Sequence, residues 1–172
     1  SPEVGVDIVA TEERLDLTAK GFDAWVRVAH FIAPDMIAVR LTPPFRFIVV
    51  GSPDYLRRHK RPERIDDLRQ HACLRMRRAN RSIAPWSFVE GNKTVEAIGS
   101  GPLSANDFPT MLGAAIEGMG LAQVPERIAA EPVKAGKLVH VLKPFAPMAP
   151  GVFLYYPSRH QVLPKLRAFI DH

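Results

Sequence analysis

Apolar positions along this chain alternate between short β-like runs and longer stretches of helical period, which predicts an α/β domain with largely parallel strands. Val4 to Ala10 reads as a strand. Thr11 follows as a helix N-cap, with Glu12 and Glu13 in the first turn, where the helix dipole favours acids. Leu15, Ala19 and Phe22 share one face of that helix, and Gly21 sits where a left-handed residue must end it. Phe22 to Ala29 is the next predicted strand.

Leu41 and then Phe45 to Val50 predict a longer strand, after which Ser52 caps a helix with Pro53 at its first position. A second short helix is expected near Pro62. Cys73 to Ala105 is strand-like, with Trp86, Phe88, Val95 and Ile98 as apolar markers and Gly91-Asn92 as a hairpin turn. Asn106 is expected to cap a helix whose apolar face is Met111, Leu112, Ala115, Ile116 and Met119. The Gly118-Met119-Gly120 break leads into a strand over Leu121 to Val124, and a helix follows from Pro125 to about Lys134. Strands near Leu138 to Leu142 and Val152 to Tyr156 precede a terminal helix carrying Val162, Leu166 and Phe169.

With 172 residues, 47% of them apolar and 24% charged, the chain has the ordinary composition of a water-soluble globular domain. No apolar run approaches the roughly 20 residues that cross a bilayer, and Ser1-Pro2-Glu3-Val4 does not read as a signal peptide. Cys73 is the single cysteine, so no internal disulfide is possible and a reducing, cytoplasmic setting is expected. The net charge of +5 is unevenly spread: nine arginines and Lys60 face only Glu63, Asp66 and Asp67 between Arg57 and Arg81. Without interleaved aromatic residues that stretch reads as a solvated basic face and not as a nucleic-acid platform.

Enzymatic motifs dissolve on inspection. The Gly118-x-Gly120 pair lies between a helix and a strand, the reverse of a dinucleotide loop, and Gln123 stands where a third glycine is needed. Ser100, between Gly99 and Gly101, lacks the flanks and the strand-to-helix turn of a nucleophile elbow. His71 and Cys73 alternate along a strand with no acid to orient a base, so Cys73 reads as a core thiol. The six histidines show no ligand spacing, and neither a metal site nor a cofactor is expected.

A repeated geometry is more informative. Thr11, Ser52 and Asn106 each follow a predicted strand and each cap a helix, so three sets of unpaired backbone N–H groups leave strand ends. Ligands of open parallel sheets bind at that edge. Arg27, near the end of the second strand, would add a charge-assisted donor, and together these positions predict a small anionic ligand.

The same residues carry a family resemblance. The run from Glu13-Arg14-Leu15-Asp16-Leu17 through Gly21-Phe22-Asp23-Ala24-Trp25-Val26-Arg27-Val28 resembles the regulatory domain of LysR-type transcriptional regulators. Ser52-Pro53-Asp54-Tyr55-Leu56, Asp67-Leu68 to His71-Ala72-Cys73-Leu74, Asn106-Asp107, Gly118-Met119-Gly120-Leu121 with Pro125, and Tyr156-Pro157 through Ala168-Phe169-Ile170-Asp171 continue it in order and spacing. The resemblance implies two Rossmann-like subdomains in a type II periplasmic-binding-protein fold, with a cleft between them: residues 1–51 with 147–172, and residues 52–146. It implies a small-molecule effector in the cleft, lined by Thr11, Arg27, Ser52 and Asn106, with Asp107 and Arg75 as further candidates. It also implies a homodimer or homotetramer, and DNA contact only through an N-terminal winged helix-turn-helix that this sequence lacks, together with an upstream strand and helix. The rival readings are a solute-binding protein of a transporter, which shares the fold, and a small α/β enzyme, for which the sequence offers no nucleophile with a base, metal set or cofactor loop.

Overall fold

The computed structural model describes residues 5–9, 21–28, 35–158 and 164–170. In chain order these form β1 (Trp25–Arg27), β2 (Met36–Arg40), β3 (Phe45–Gly51), α1 (Pro53–Arg58), a 3-10 turn (Ile65–Gln70), β4 (Cys73–Met76), β5 (Trp86–Glu90), β6 (Lys93–Ala97) and β7 (Ser104–Ala105). There follow α2 (Phe108–Ile116), β8 (Leu121–Pro125), α3 (Glu126–Lys134), β9 (Val139–Val141), a 3-10 turn (Lys143–Phe145), β10 (Met148–Ala149), β11 (Phe153–Pro157) and α4 (Pro164–Ile170). The chain divides into two compact units, residues 1–44 with 149–172 and residues 45–148. The strand β3, expected with the first subdomain, is hydrogen-bonded into the second unit through β8 and β9.

The first unit holds an antiparallel sheet in the order β1-β11-β2. Leu154 and Tyr156 on β11 pack with Leu166 of α4, and Ala24, Val39 and Ile170 border them. Two expectations change here. The strand predicted over Val4–Ala10 does not form in described residues 5–9, where Val6, Ile8 and Val9 are exposed; no described strand lies beside them to satisfy their backbone. A strand over Met36–Arg40, which the sequence reading did not anticipate and whose apolar residues are half-buried or, at Ile37, exposed, does form against β11. Gly21 has the positive φ of 74° expected of it.

The second unit is built on a sheet in the order β10-β3-β8-β4-β7, with β9 also on β3. Successive residues alternate between two apolar faces. Ile48, Val50, Leu74, Ala122 and Val124 pack with Met111 and Ala115 of α2 and Ala129 of α3. Val49, Cys73, Leu121 and Val141 pack on the other side with Tyr55, Leu68, Trp86 and Phe88. A strand covered on both faces reads as a continuous apolar run, as Phe45–Val50 does, and each fully buried Leu or Val contributes about 1.5–3 kcal/mol. The hairpin of β5 and β6 turns at Gly91, as its Gly91-Asn92 pair requires. The largely parallel arrangement expected from the pattern is corrected: β4 runs parallel to β8 and β7, but β3 is antiparallel to β8 and β9.

Candidate functional site

The reversed direction of β3 decides which helix starts share an edge. In register, Val50 faces Ala122 and Phe47 faces Pro125, while Leu74 faces Ala122 and Met76 faces Ala105. The C-terminal end of β3 therefore lies beside the N-terminal ends of β8 and β4. Ser52 consequently sits at one edge of the sheet, and Asn106 and Asp107, following β7, sit at the other. The three-cap crevice read from the sequence assumed parallel strands; in the second unit the two described caps are separated by the length of the sheet.

The caps also offer few donors. Ser52 is buried and its Oγ accepts from Tyr55 N–H at 3.2 Å, while Pro53 has no N–H to give. At α2 the capping residue is Asp107 and not Asn106: Asp107 Oδ1 accepts from Thr110 N–H at 2.7 Å, Pro109 lacks an N–H, and Asn106 is exposed beside it. The carboxylate at this helix start opposes an anion, so backbone donors are not what would bind one. Thr11 lies outside the described residues.

The edge carrying Asp107 has a different feature, a cavity of about 200 Å³. Phe47, Met76, Trp86, Phe108 and Pro147 form most of its apolar wall, with Ser87 and Gln123 as polar members. Phe47 and Phe108 are in ring contact at 5.9 Å. Gln123 is committed to the wall itself: its Nε2 donates to Ser87 O at 2.8 Å and its Oε1 accepts from Ser87 N–H at 3.2 Å, fixing β5 to β8. Between wall residues Met76 and Ala84 the chain makes a tight turn closed at its base by Ala84 N–H to Met76 O, 2.9 Å. That turn carries Arg77, Arg78 and Arg81, all exposed, with Arg81 at a positive φ of 66°. Arg77 Nη2 donates to Ser104 Oγ, and none of the three forms an ion pair among the described residues. The sequence reading took these arginines for a solvated face and missed the wall; the available signal was their position immediately before Pro85-Trp86.

The remaining candidates separate. Arg75 lies on β4, where its Nη2 donates to Gly101 O at 3.3 Å and its buried Nε has no partner among the described residues. Arg27, in the first unit, places its guanidinium 5.0 Å from the Trp25 ring centre. Gly99 and Gly101 serve packing: a Cβ on either would lie 2.4 Å from Cys73 Cβ or 2.2 Å from Cys73 O. Ser100 between them accepts the Cys73 N–H at 2.8 Å through its carbonyl. Gly120 likewise clears the Ala72 carbonyl, 2.3 Å from where its Cβ would be. Cys73 is fully buried, and burial pushes its thiol up to about 11. Among the described residues no set of three His, Cys, Asp or Glu side chains could hold a metal, and no helix is long and apolar enough to cross a membrane.

All 172 residues match the family model of the LysR substrate binding domain. The chain is 33% identical over 171 residues to the HTH-type transcriptional regulator PgrR of Escherichia coli K12, which covers 99% of this chain and 57% of that protein. The regulatory domain of AphB in Vibrio vulnificus is 26% identical, with a TM-score of 0.75 over 92% of this chain and 76% of that one. CrgA, a LysR-type transcriptional regulator from Neisseria meningitidis, shares the fold at 23% identity and a TM-score of 0.84, over 99% of this chain and 57% of that one. The chain spans about half the length of the curated relatives it matches. These matches give no support to the transporter reading, and the relatives are transcriptional regulators, not enzymes. The fold is the type II periplasmic-binding-protein-like α/β fold of such regulatory domains, and the chain belongs to the LysR substrate-binding domain family, the effector-sensing part of LysR-type transcriptional regulators.

Proposed function

We propose that this chain senses a small anionic metabolite, without catalysis, and so controls transcription through DNA-reading parts of a longer, oligomeric cytoplasmic protein. The observation that carries this reading is the cavity at the C-terminal ends of β4, β7 and β8, the edge where open α/β sheets receive ligands, with the arginine turn running between its wall residues Met76 and Ala84. Asn106, Asp107 and Arg75 belong to the elements forming that edge, and Arg27 is the first unit's candidate. Ser52 lies at the opposite edge with its hydroxyl engaged, which removes it from the reading.

The test is a thermal-shift screen of the protein with small carboxylates, phosphorylated metabolites and neutral analogues, followed by calorimetry on those that stabilise it. A specific anion should raise the melting temperature in proportion to its concentration over its dissociation constant, with no change in the ligand recovered. Chemical turnover of that ligand, or stabilisation by neutral compounds alone, would overturn the reading.

A further inference from the structure

The composition of the cavity and its rim restricts what the site can hold. A volume near 200 Å³, below the roughly 300–1,000 Å³ of pockets that enclose drug-sized ligands, suits a small group. Phe47, Trp86 and Phe108 give the wall flat aromatic surface. The polar capacity of the wall is largely spent, because Gln123 and the Ser87 backbone satisfy each other. Positive charge lies in the turn between wall residues Met76 and Ala84, at Arg77, Arg78 and Arg81; residues 75–89 contain no acid, and Asp107, the acid beside wall residue Phe108, is engaged as the α2 cap. A small dicarboxylate, charged at both ends, would have to bury one carboxylate against aromatic rings, at a cost that charged groups avoid unless they are paired.

We infer that the ligand is an amphipathic monoanion: an apolar, preferably flat body seated against Trp86 and Phe108, with a single acid group held at the rim by the turn bearing Arg77, Arg78 and Arg81. This rests on the sensor reading above and specifies its ligand class. The turn is suited to the task because its ends are themselves wall residues, Met76 and Ala84, joined by the Ala84 N–H to Met76 O bond. An acid group at the rim keeps partial hydration while meeting guanidinium groups that form no ion pair among the described residues.

Trp86 supplies the readout. Titrating the protein with 3-phenylpropanoate, 3-phenylpropanol and succinate while following tryptophan emission tests body and charge separately. The phenyl acid should change the emission, the change should vanish in Trp86→Phe, and the alcohol should bind at least tenfold more weakly. An Arg77→Ala/Arg78→Ala/Arg81→Ala variant, which alters only exposed side chains, should retain the wild-type melting temperature and lose at least tenfold in affinity for the acid. Succinate binding without phenylpropanoate binding would overturn this inference and leave the sensor reading intact. Undiminished binding of the acid to the triple variant, or no Trp86-dependent response to it, would also overturn the inference.

Discussion

The phenolic oxygen of Tyr55 lies 3.1 Å from Nδ1 of His71 and accepts the backbone N–H of Ala72 at 2.9 Å. The hydroxyl thus bridges the Ala72 backbone and the His71 ring, with the direction of the second bond set by the His71 tautomer. His59, itself exposed, stacks on the buried Tyr55 ring at 4.4 Å at the Ser52 edge. Burial first, and the charge of His59 second, hold His71 below the usual imidazole value of 6.5, with Asp67 and the Lys60 carbonyl opposing. His140 is also lowered, by burial and then by Lys143, with Glu126 opposing.

A base whose folded pKa is depressed takes up protons on unfolding, so its contribution is complete above 6.5 and is lost as pH falls below that value. The melting temperature is therefore expected to drop between pH 7 and pH 5. His71→Gln should flatten part of that slope, and His71→Gln/His140→Gln more of it. Calorimetric scans in buffers of matched ionic strength check this, and an unchanged slope in the double variant rules it out. Tyr55→Phe should cost about 1–3 kcal/mol at neutral pH, since it strands both the Ala72 N–H and His71.

The start of α2 gives a second expectation. Because Asp107 and not Asn106 accepts the Thr110 N–H, Asp107→Ala should cost about 0.5–2 kcal/mol of stability and Asn106→Ala close to none. Urea unfolding of the two variants side by side measures the difference; equal losses would mean that the cap is misassigned.

Two glycines should respond with opposite signs to alanine. At Gly101 a Cβ would meet the Cys73 carbonyl at 2.2 Å, so Gly101→Ala should destabilise by about 1–3 kcal/mol or more, as overpacking does. Gly113 is exposed within α2 with nothing within 4 Å of the added carbon, so Gly113→Ala should stabilise by about 0.5–1 kcal/mol. Equilibrium unfolding midpoints decide both, and a stable Gly101→Ala would refute the packing role.

Cys73 should be chemically silent in the native protein. It is fully buried and its thiol is pushed up to about 11, leaving about one thiolate in a thousand at pH 8. A thiol reagent should therefore label it only on the timescale of unfolding, and rapid native labelling would contradict this.

Most elements of the second unit were legible in the sequence because their signals are local. Ser52-Pro53 marks a helix start, Gly91-Asn92 a hairpin, and Phe45–Val50 a strand covered on both faces. Direction is not local. Nothing in the composition of β3 distinguishes a parallel from an antiparallel neighbour, and assuming parallel strands put Ser52 at the same end of the sheet as Asn106. The one-residue slip from Asn106 to Asp107 has a similar origin, since both residue types cap well and only the Thr110 N–H distinguishes them. The cavity wall was hidden for another reason: Phe47, Trp86, Phe108 and Gln123 come from four separate segments, and only pairing of the strands brings them together.

The arginine turn also bears on rates. Three exposed guanidinium groups that form no ion pair among the described residues raise the local concentration of anions over roughly a Debye length, about 8–10 Å at physiological salt. Departure, by contrast, requires rehydrating whatever has settled on the aromatic wall below. The entry rate of an anion at this edge should therefore fall as salt is added while its exit rate stays nearly constant, giving the site a response time set by ionic strength on one side and by apolar area on the other.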